Sequence, residues 1–443
     1  MVHSLNVFLE SLLRRMQTPE PRRARSGLAT KWQPGGNWRY EAHSLSPNAR
    51  TAWDQLDRVL GALPKNNQYG EYLAVHCWFA DPPPFTPELS ALRLLLAEVP
   101  PEVSDPEQWL FLDTETTGIA GGTGTYAFLI GLAWWDRGGF EVEQLFLRDY
   151  AEERAVLEAV AERLAERNVL VTFNGKCFDW PLLETRYRMS RRIQVPRLRA
   201  HLDFLHAARS LWRLRLRSVR LSELERHVLG RDRGGDIFSG LIPQLYLDFI
   251  RGGSPEKLVP IFHHNQMDLR GLAALSARIL SLLADPESEG QDALELFGAS
   301  RICERRGETR RARRLYEKSI AAVLPVGTDR AAHISLARLA KRDRDFTQAC
   351  ELWRSMLGNS RQGYEAYEQL AIYYEHRAHD LEAALAIVED ALGELGEANA
   401  SGAIAPRAYL EIQRRFEHRL ARLHRKNRRK FSGPPQSLLE SGR

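Results

Sequence analysis

A short apolar strand that ends in two acids constrains this chain more than any other stretch. The run 109–112 is apolar, Asp113 and Glu115 follow it, and a glycine interrupts the pattern at Gly118. Residues two apart in a strand point to the same face, so the two carboxylates can aim at one point. Converging carboxylates repel each other unless a cation lies between them, and oxygen ligands suit Mg²⁺ or Mn²⁺. The stretch therefore predicts a metal site, although an isolated Asp-x-Glu is more often an acidic corner that faces solvent.

The elements that follow predict a mixed α/β domain around that strand. Two apolar runs, 126–135 and 140–147, are joined by Asp-Arg-Gly-Gly, which is typical of a β-hairpin. Apolar residues at helical spacing predict an amphipathic helix over 152–167, and a short buried strand is expected over 169–173. This order of strands and helices favours a mixed sheet.

Two later stretches each carry a further acid. Asn174 follows the strand over 169–173, and Asp179 comes next, where it could simply cap a helix. Asp268 lies in a predicted helix, four residues after His264 and five after His263. Side chains four apart share a helix face, whereas a residue five positions back is rotated by about 140°. A continuous helix therefore favours His264 as the neighbour of Asp268.

In this order, the patterns Asp-x-Glu, Asn-x₄-Asp and His-x₃-Asp resemble the three motifs of the DEDD 3′–5′ exonuclease superfamily, which has the ribonuclease H-like fold. The chain is similar in particular to bacterial ribonuclease H-like proteins that carry tetratricopeptide repeats after the nuclease domain. The resemblance covers residues 105–285 for the nuclease and 290–395 for the repeats. The family's histidine branch usually has its general base five residues before the last Asp, here His263. Its tyrosine branch uses the position four residues before, here His264.

The resemblance implies a hydrolase that cuts phosphodiester bonds of single-stranded DNA or RNA as a 3′–5′ exonuclease and releases nucleoside 5′-monophosphates. It implies a two-metal mechanism with two Mg²⁺ or Mn²⁺ ions and a histidine, His264 or His263, as general base. The implied metal ligands are Asp113, Glu115, Asp179 and Asp268. The alternative function is a noncatalytic nucleic-acid-binding scaffold that retains the fold, and the presence of all four acids argues against it.

Arginines interleaved with apolar residues lie between the second and third motifs. Such a run is usually a solvated face. Beside a nuclease site the arginines could instead neutralise phosphates, with Trp212 as a stacking platform for a nucleobase. The sequence favours neither interpretation over the other. His201 and Asp203 are expected to have a structural role. The residues predicted to contact nucleic acid are Thr116, Asn174, Phe178, Arg209, Trp212, Arg213, Arg215 and Arg217.

The rest of the chain is predicted to support the nuclease domain. Residues 1–50 are expected to be a flexible basic segment, and 51–104 a lead-in region packed on the ribonuclease H-like domain at 105–285. Helical pairs that recur about every 34–37 residues predict an all-α, tetratricopeptide-like repeat domain at 290–425. A basic disordered tail is expected at 426–443. Because helical solenoids present a concave surface, a protein partner is expected for the repeats.

Cysteine spacing and hydropathy bear on the compartment. The four cysteines are far apart and form no Cys-x-x-Cys pair, which gives neither a disulfide framework nor a zinc site and favours a reducing compartment. No run approaches the ~18 apolar residues of a membrane span, so no membrane association is expected. The N-terminal stretch lacks the core of a signal peptide, and a cytoplasmic location is expected.

Overall fold

The computed structural model describes residues 53, 55, 56, 58–118, 122–190, 193–288, 291–358 and 364–431. The prediction for residues 1–50 lies outside the described residues, as does most of the predicted tail. The chain divides into two compact units, with the boundary between Asp285 and Pro286. No helix among the described residues has the length and apolar character that crossing a membrane requires.

The first unit contains a seven-stranded mixed sheet in the order β1-β2-β5-β4-β3-β6-β7. β3 pairs with β6, and β6 with β7, in parallel, whereas the other neighbours are antiparallel. The predicted mixed α/β architecture is therefore confirmed. The strands are β1 (Leu63–Asn67), β2 (Gly70–Phe79), β3 (Trp109–Thr116), β4 (Ala127–Asp136), β5 (Gly139–Phe146), β6 (Val169–Thr172) and β7 (Ala200–Asp203).

β4 and the first half of β3 are apolar because both faces of the sheet are covered there. The first four residues of β3 and all but the last of β4 are buried. The predicted hairpin joins β4 to β5 through Arg137 and Gly138, whose φ angles of 51° and 74° suit a tight two-residue turn. The described residues of the first unit also form α-helices. They are α1 (Leu89–Leu95), α2 (Glu153–Glu166), α3 (Asp179–Ser190), α4 (Leu205–Trp212), α5 (Leu221–Val228), α6 (Ile242–Ile250) and α7 (Val259–Ala284).

The lead-in region does more than pack on the nuclease domain, which corrects the prediction for residues 51–104. β2 pairs with β5 from Leu73–Phe146 to Phe79–Phe140, so the region supplies two strands of the same sheet. A buried carboxylate on β5, Glu143, accepts hydrogen bonds from Lys65 of β1 at 3.1 Å and from Arg163 of α2 at 2.6 Å. Sequence reasoning missed β1 and this pairing because strand partners far apart in the chain leave no local signal.

The second unit is all-helical within the residues described, as predicted. Its helices are α8 (Ala293–Arg305), α9 (Thr309–Ala321), α10 (Val326–Arg342), α11 (Phe346–Ser355), α12 (Glu365–Tyr373), α13 (Leu381–Ala400) and α14 (Pro406–Phe431). Consecutive helices pack in pairs. Several small residues of these helices are fully buried, among them Ala312, Ala337 and Ala384. The tetratricopeptide character of these pairs remains a prediction.

The last helix corrects the predicted tail, because it continues to Phe431 and therefore includes residues 426–431. Part of its positive charge is used inside the unit. Glu375 is buried in a short π-helical stretch, Tyr374–Ala378, and pairs with Arg422 and Lys426 of α14 at 2.6 Å each. These cations hold α14 against the π-helical stretch rather than standing free in solvent.

Candidate active site

Three elements bring the four acids of the sequence motifs to one edge of the sheet. β3 carries Asp113 and Glu115, and its parallel neighbour β6 leads into the loop before Asp179, the first residue of α3. The carboxyl ends of adjacent parallel strands meet at the same edge, which is why these acids approach each other. α7 packs on β3 and brings Asp268 to the same place.

The acids lie close enough to alter one another's protonation. Burial raises the pKa of Asp113 well above its ordinary value, and the charges of Asp268 and Asp179 add to the rise. The pKa of Glu115 is raised in the same way, by burial first and then by Asp113. Within the described residues, neither Asp113 nor Asp179 forms an ion pair with a basic side chain. The cluster therefore holds more negative charge than its protein cations neutralise.

Asp179 is held by a residue of β3. The hydroxyl of Thr114 donates a hydrogen bond to Asp179 Oδ1 at 2.5 Å. Burial raises the pKa of Asp179 to about 6, against the effect of this hydrogen bond, which lowers it. The carboxyl group thus has a fixed orientation at the start of α3.

His264 faces the acids from α7. Its Nε2 lies 3.2 Å from Asp268 Oδ2 and 3.8 Å from Glu115 Oε1. One ligand atom from each of Glu115, His264 and Asp268 lies within 4.8 Å of the others, a spacing that could hold a metal ion. Burial alone would lower the pKa of His264, but its hydrogen bond to Asp236 and the nearby carboxylates raise it to about 9.

His263 is on the same uninterrupted helix but points elsewhere. Within the described residues it forms no ion pair with an acid, and burial lowers its pKa. α7 begins at Val259, before both histidines, so no break lies between them. The continuous helix accounts for the different surroundings of His263 and His264.

Two residues that sequence reasoning missed come from the loop between α5 and α6. Asp236 Oδ1 lies 2.6 Å from His264 Nδ1. The guanidinium of Arg233 donates to Asp268 Oδ1 at 2.5 Å and to both carboxylate oxygens of Glu225, at 2.6 and 2.7 Å. A loop has no periodicity that would indicate which of its side chains turn inward, so neither residue could be recognised from the sequence pattern.

A buried chain of amides fixes Asp113. Asn265 Nδ2 donates to Asp113 Oδ2 at 2.8 Å, while Asn265 Oδ1 accepts from Gln144 Nε2 at 2.8 Å. Gln144 Nε2 also donates to the carbonyl of Phe262 at 2.9 Å, so the orientation of both amides is determined. Gly131 pairs with Asp113 across β3 and β4, and a Cβ at 131 would collide with the Asn265 amide. The sequence analysis had assigned Asn265 no role.

A cavity of about 520 Å³ lies beside the acids, and only some of the residues predicted to contact nucleic acid line it. Of the eight, Asn174, Arg209 and Arg213 line it, whereas Thr116, Phe178, Arg215 and Arg217 are not among its lining residues. The lining residues are Asp113, Phe173, Asn174, Leu205, Arg209, Arg213, Ser218, Val219, Arg220, Leu221, Ser222, Arg233, Ser239, His264 and Asp268.

Trp212 corrects the prediction of a stacking platform. Its side chain is fully buried, so it has no face to offer to a nucleobase. It lies at the end of α4, where its apolar ring packs in the core. Asp203 instead organises the loop after β6, because its carboxylate accepts hydrogen bonds from the backbone N–H groups of Asn174 and Lys176 at 2.9 and 3.0 Å.

The fold and the acidic site agree with the family match. Residues 110–280 match the RNase_H superfamily, and the chain belongs to it. A relative from Bacillus subtilis (strain 168), the uncharacterized protein YprB, is 32% identical over 292 residues, which cover 64% of this chain and 69% of that protein. This chain and YprB are therefore members of one family.

A solved structure is similar at a much weaker level. It is the family B DNA polymerase from the hyperthermophilic archaeon Pyrobaculum calidifontis, with a TM-score of 0.34 and 16% sequence identity. The similar region covers 46% of this chain and only 29% of the polymerase. A likeness of this size does not bear on function.

Proposed function

We propose that this protein is a metal-dependent 3′–5′ exonuclease that hydrolyses the phosphodiester bonds of single-stranded nucleic acid. The observation that carries the proposal is the convergence of Asp113, Glu115, Asp179 and Asp268, from β3, α3 and α7, beside a histidine. Membership of the RNase_H superfamily supports nuclease chemistry at this position.

The donor set fits two hard divalent cations, Mg²⁺ or Mn²⁺. Carboxylate oxygens are the ligands that these ions prefer, and burial together with mutual repulsion raises the pKa of Asp113 and Glu115. A pKa raised in this way indicates a site that lacks positive charge. The four acids would hold the ions. When bound, such ions would polarise a phosphate and lower the pKa of a water molecule, which could then lose a proton and attack the phosphorus.

His264 is proposed as the general base. Asp236 lies at Nδ1 and would keep the proton on that nitrogen, which leaves Nε2 to face Glu115 and Asp268. Burial lowers the pKa of His264, but the hydrogen bond to Asp236 raises it most and the charges of Asp268 and Glu115 add to the rise. Bound cations would neutralise the charges of Asp268 and Glu115 and so favour the neutral imidazole, the form that can accept a proton from the attacking water.

The helical second unit is proposed as a protein-interaction module. Stacked helix pairs present one continuous surface, and several large apolar side chains in this unit are exposed, including Val326 at 72% and Leu410 at 60%. The nuclease and the module would then act on one substrate, with the module recruiting a protein partner.

The test is digestion of single-stranded DNA and RNA labelled at the 5′ end, by the full-length protein with Mg²⁺, Mn²⁺ or EDTA. A 3′–5′ exonuclease shortens such strands stepwise and releases nucleoside 5′-monophosphates only when the metal is present. Binding of the strands without shortening in either metal would overturn the proposal and favour a noncatalytic scaffold. Release of the label as the first product would indicate the opposite polarity.

A further inference from the structure

The cavity beside the acids is lined by two chemically different groups of residues. Asp113, Asp268 and His264 belong to the candidate metal site, and Arg209, Arg213 and Arg220 form a cationic group. We name these three arginines the arginine wall. Arg209 is on α4, Arg213 follows the end of that helix, and Arg220 directly precedes α5. Three cationic side chains and the candidate metal site thus line one cavity.

The arginine wall is free of protein partners within the described residues. None of its three guanidinium groups forms an ion pair or a side-chain hydrogen bond there, and all three side chains are exposed to solvent. Arg233, which lines the same cavity, is in contrast engaged by Glu225, Asp236 and Asp268. Arg233 is therefore occupied in holding the acids, whereas the arginine wall is available for a ligand.

The ligand that suits this wall is a phosphodiester. Guanidinium groups bind phosphate oxygens through paired, charge-assisted hydrogen bonds, and neighbouring arginines repel each other until an anion lies between them. Ser218 and Ser222 add hydroxyl groups to the lining. The wall reads charge rather than base identity, because phosphate contacts position a strand without specifying its sequence.

The buried residues around the wall hold it in place. Trp212 is fully buried beside Arg213, and Val219 is 7% exposed beside Arg220. The two ends of the segment between α4 and α5 are therefore anchored in the core, although its arginines reach the cavity. This anchoring accounts for the position of Trp212, which contacts no ligand itself.

We propose that the arginine wall binds the phosphate adjacent to the one that is cut, and so positions the 3′ end of the strand. The proposal rests on the proposed exonuclease function. A cavity of about 520 Å³ is within the usual size range of small-molecule sites, so it holds about one nucleotide. The scissile phosphate at the acids and its neighbour at the wall are then bound together.

The experiment measures binding in EDTA, where no hydrolysis is needed. The probe is a fluorescent single strand of about five nucleotides, short enough to occupy mainly one site. It is used unmodified, with one neutral methylphosphonate next to the 3′-terminal linkage, or with the methylphosphonate at the 5′-terminal linkage. The variants are Arg213→Gln and Arg220→Gln, and the matched control is Arg226→Gln, an exposed arginine of α5 that does not line the cavity.

Arg213→Gln and Arg220→Gln should each raise the Kd of the unmodified strand about tenfold, the usual effect of losing a hydrogen bond to a charged group. Each should raise the Kd of the strand with the neutral linkage near its 3′ end by less than twofold, because that phosphate charge is already absent. Arg226→Gln should change neither Kd. On the strand modified at its 5′ end, the tenfold loss should return.

The proposal is overturned if the two wall variants behave like Arg226→Gln, or if their loss of affinity is the same on all three strands. Failure of the exonuclease function looks different, because the wild-type protein would then bind the strands and leave them uncut with metal. Unchanged melting temperatures show that the variants fold. Arg220→Lys provides a second variant, which should recover part of the affinity because it keeps the charge and loses the paired geometry.

Discussion

Asn265 Nδ2 lies 2.8 Å from Asp113 Oδ2 and donates a hydrogen bond to it. Gln144 prevents the Asn265 amide from turning round, since its own donor atom is held between Asn265 Oδ1 and the carbonyl of Phe262. One oxygen of Asp113 therefore has a fixed direction before any cation arrives. Groups that orient a metal ligand commonly change metal affinity by one to two orders of magnitude when they are removed.

We therefore expect Asn265→Ala to weaken Mn²⁺ binding by about 10- to 100-fold, measured by isothermal titration calorimetry without substrate. The matched control is Gln244→Ala, because the only side-chain hydrogen bond of Gln244 within the described part of the chain goes to the partly exposed carboxylate of Asp248. Equal Mn²⁺ affinities for wild type and Asn265→Ala would show that the amide chain has no role in orienting Asp113.

Asp113→Asn and Asp268→Ala should each abolish detectable hydrolysis of single strands. Each change removes a carboxylate from a cluster on which several kcal/mol of transition-state stabilisation would rest. Strand binding in EDTA should be retained, because the arginine wall is intact in both variants. A rate near that of wild type in either variant would remove that acid from the catalytic site.

The two histidines should respond very differently to substitution. His264→Ala is expected to lower the hydrolysis rate by about 10²–10⁴-fold, the usual contribution of a general base, whereas His263→Ala should cost far less. The reason is that His264 Nε2 faces Asp268 and Glu115, while His263 forms no ion pair with an acid in the part of the chain described. The two variants are compared by their single-turnover hydrolysis rates at saturating metal. A larger loss of rate in His263→Ala than in His264→Ala would assign the general base to His263.

Glu143 should make the stability of the first unit depend on acid pH. Burial raises its pKa, but hydrogen bonds from His76 and Arg163 and the charge of Lys65 more than offset this and hold the pKa well below its ordinary value. A lowered pKa contributes stability that is complete above about pH 4.3, the value for a free Glu, and is lost as the pH falls below it.

Glu143→Gln should therefore lower the free energy of unfolding at pH 7 by about 3 kcal/mol, at the lower end for a broken buried pair because Lys65 and Arg163 are partly exposed. Urea unfolding at pH 7 and at pH 3 measures the difference. It should shrink at pH 3, because Glu143 then takes up a proton in the unfolded state but keeps its charge in the folded state. A difference that stays constant with pH would mean that the ion pairs contribute little.

Local patterns predicted the elements and motif acids well, and long-range contacts account for the failures. β3, the hairpin and the α2 helix follow from residue periodicity, and the i to i+4 spacing aligned His264 with Asp268. Periodicity does not report which loop residue turns inward, so Arg233 and Asp236 were missed. Trp212 was predicted to stack on nucleobases because its arginine neighbours suggested phosphate contacts, whereas its own ring is in the core.

The pairing of β2 with β5 has a practical consequence for how this protein can be shortened. A fragment that begins near residue 105 would keep every motif acid and yet lose the partner of Phe140–Phe146. The backbone groups of β5 would then form an unprotected edge that invites pairing with another molecule. We expect such a fragment to aggregate, and one that begins before Leu63 to remain monodisperse in gel filtration. We therefore expect the segment with the motif acids to need β1 and β2 in order to stay in solution. These strands lie some forty residues upstream and carry no motif of their own.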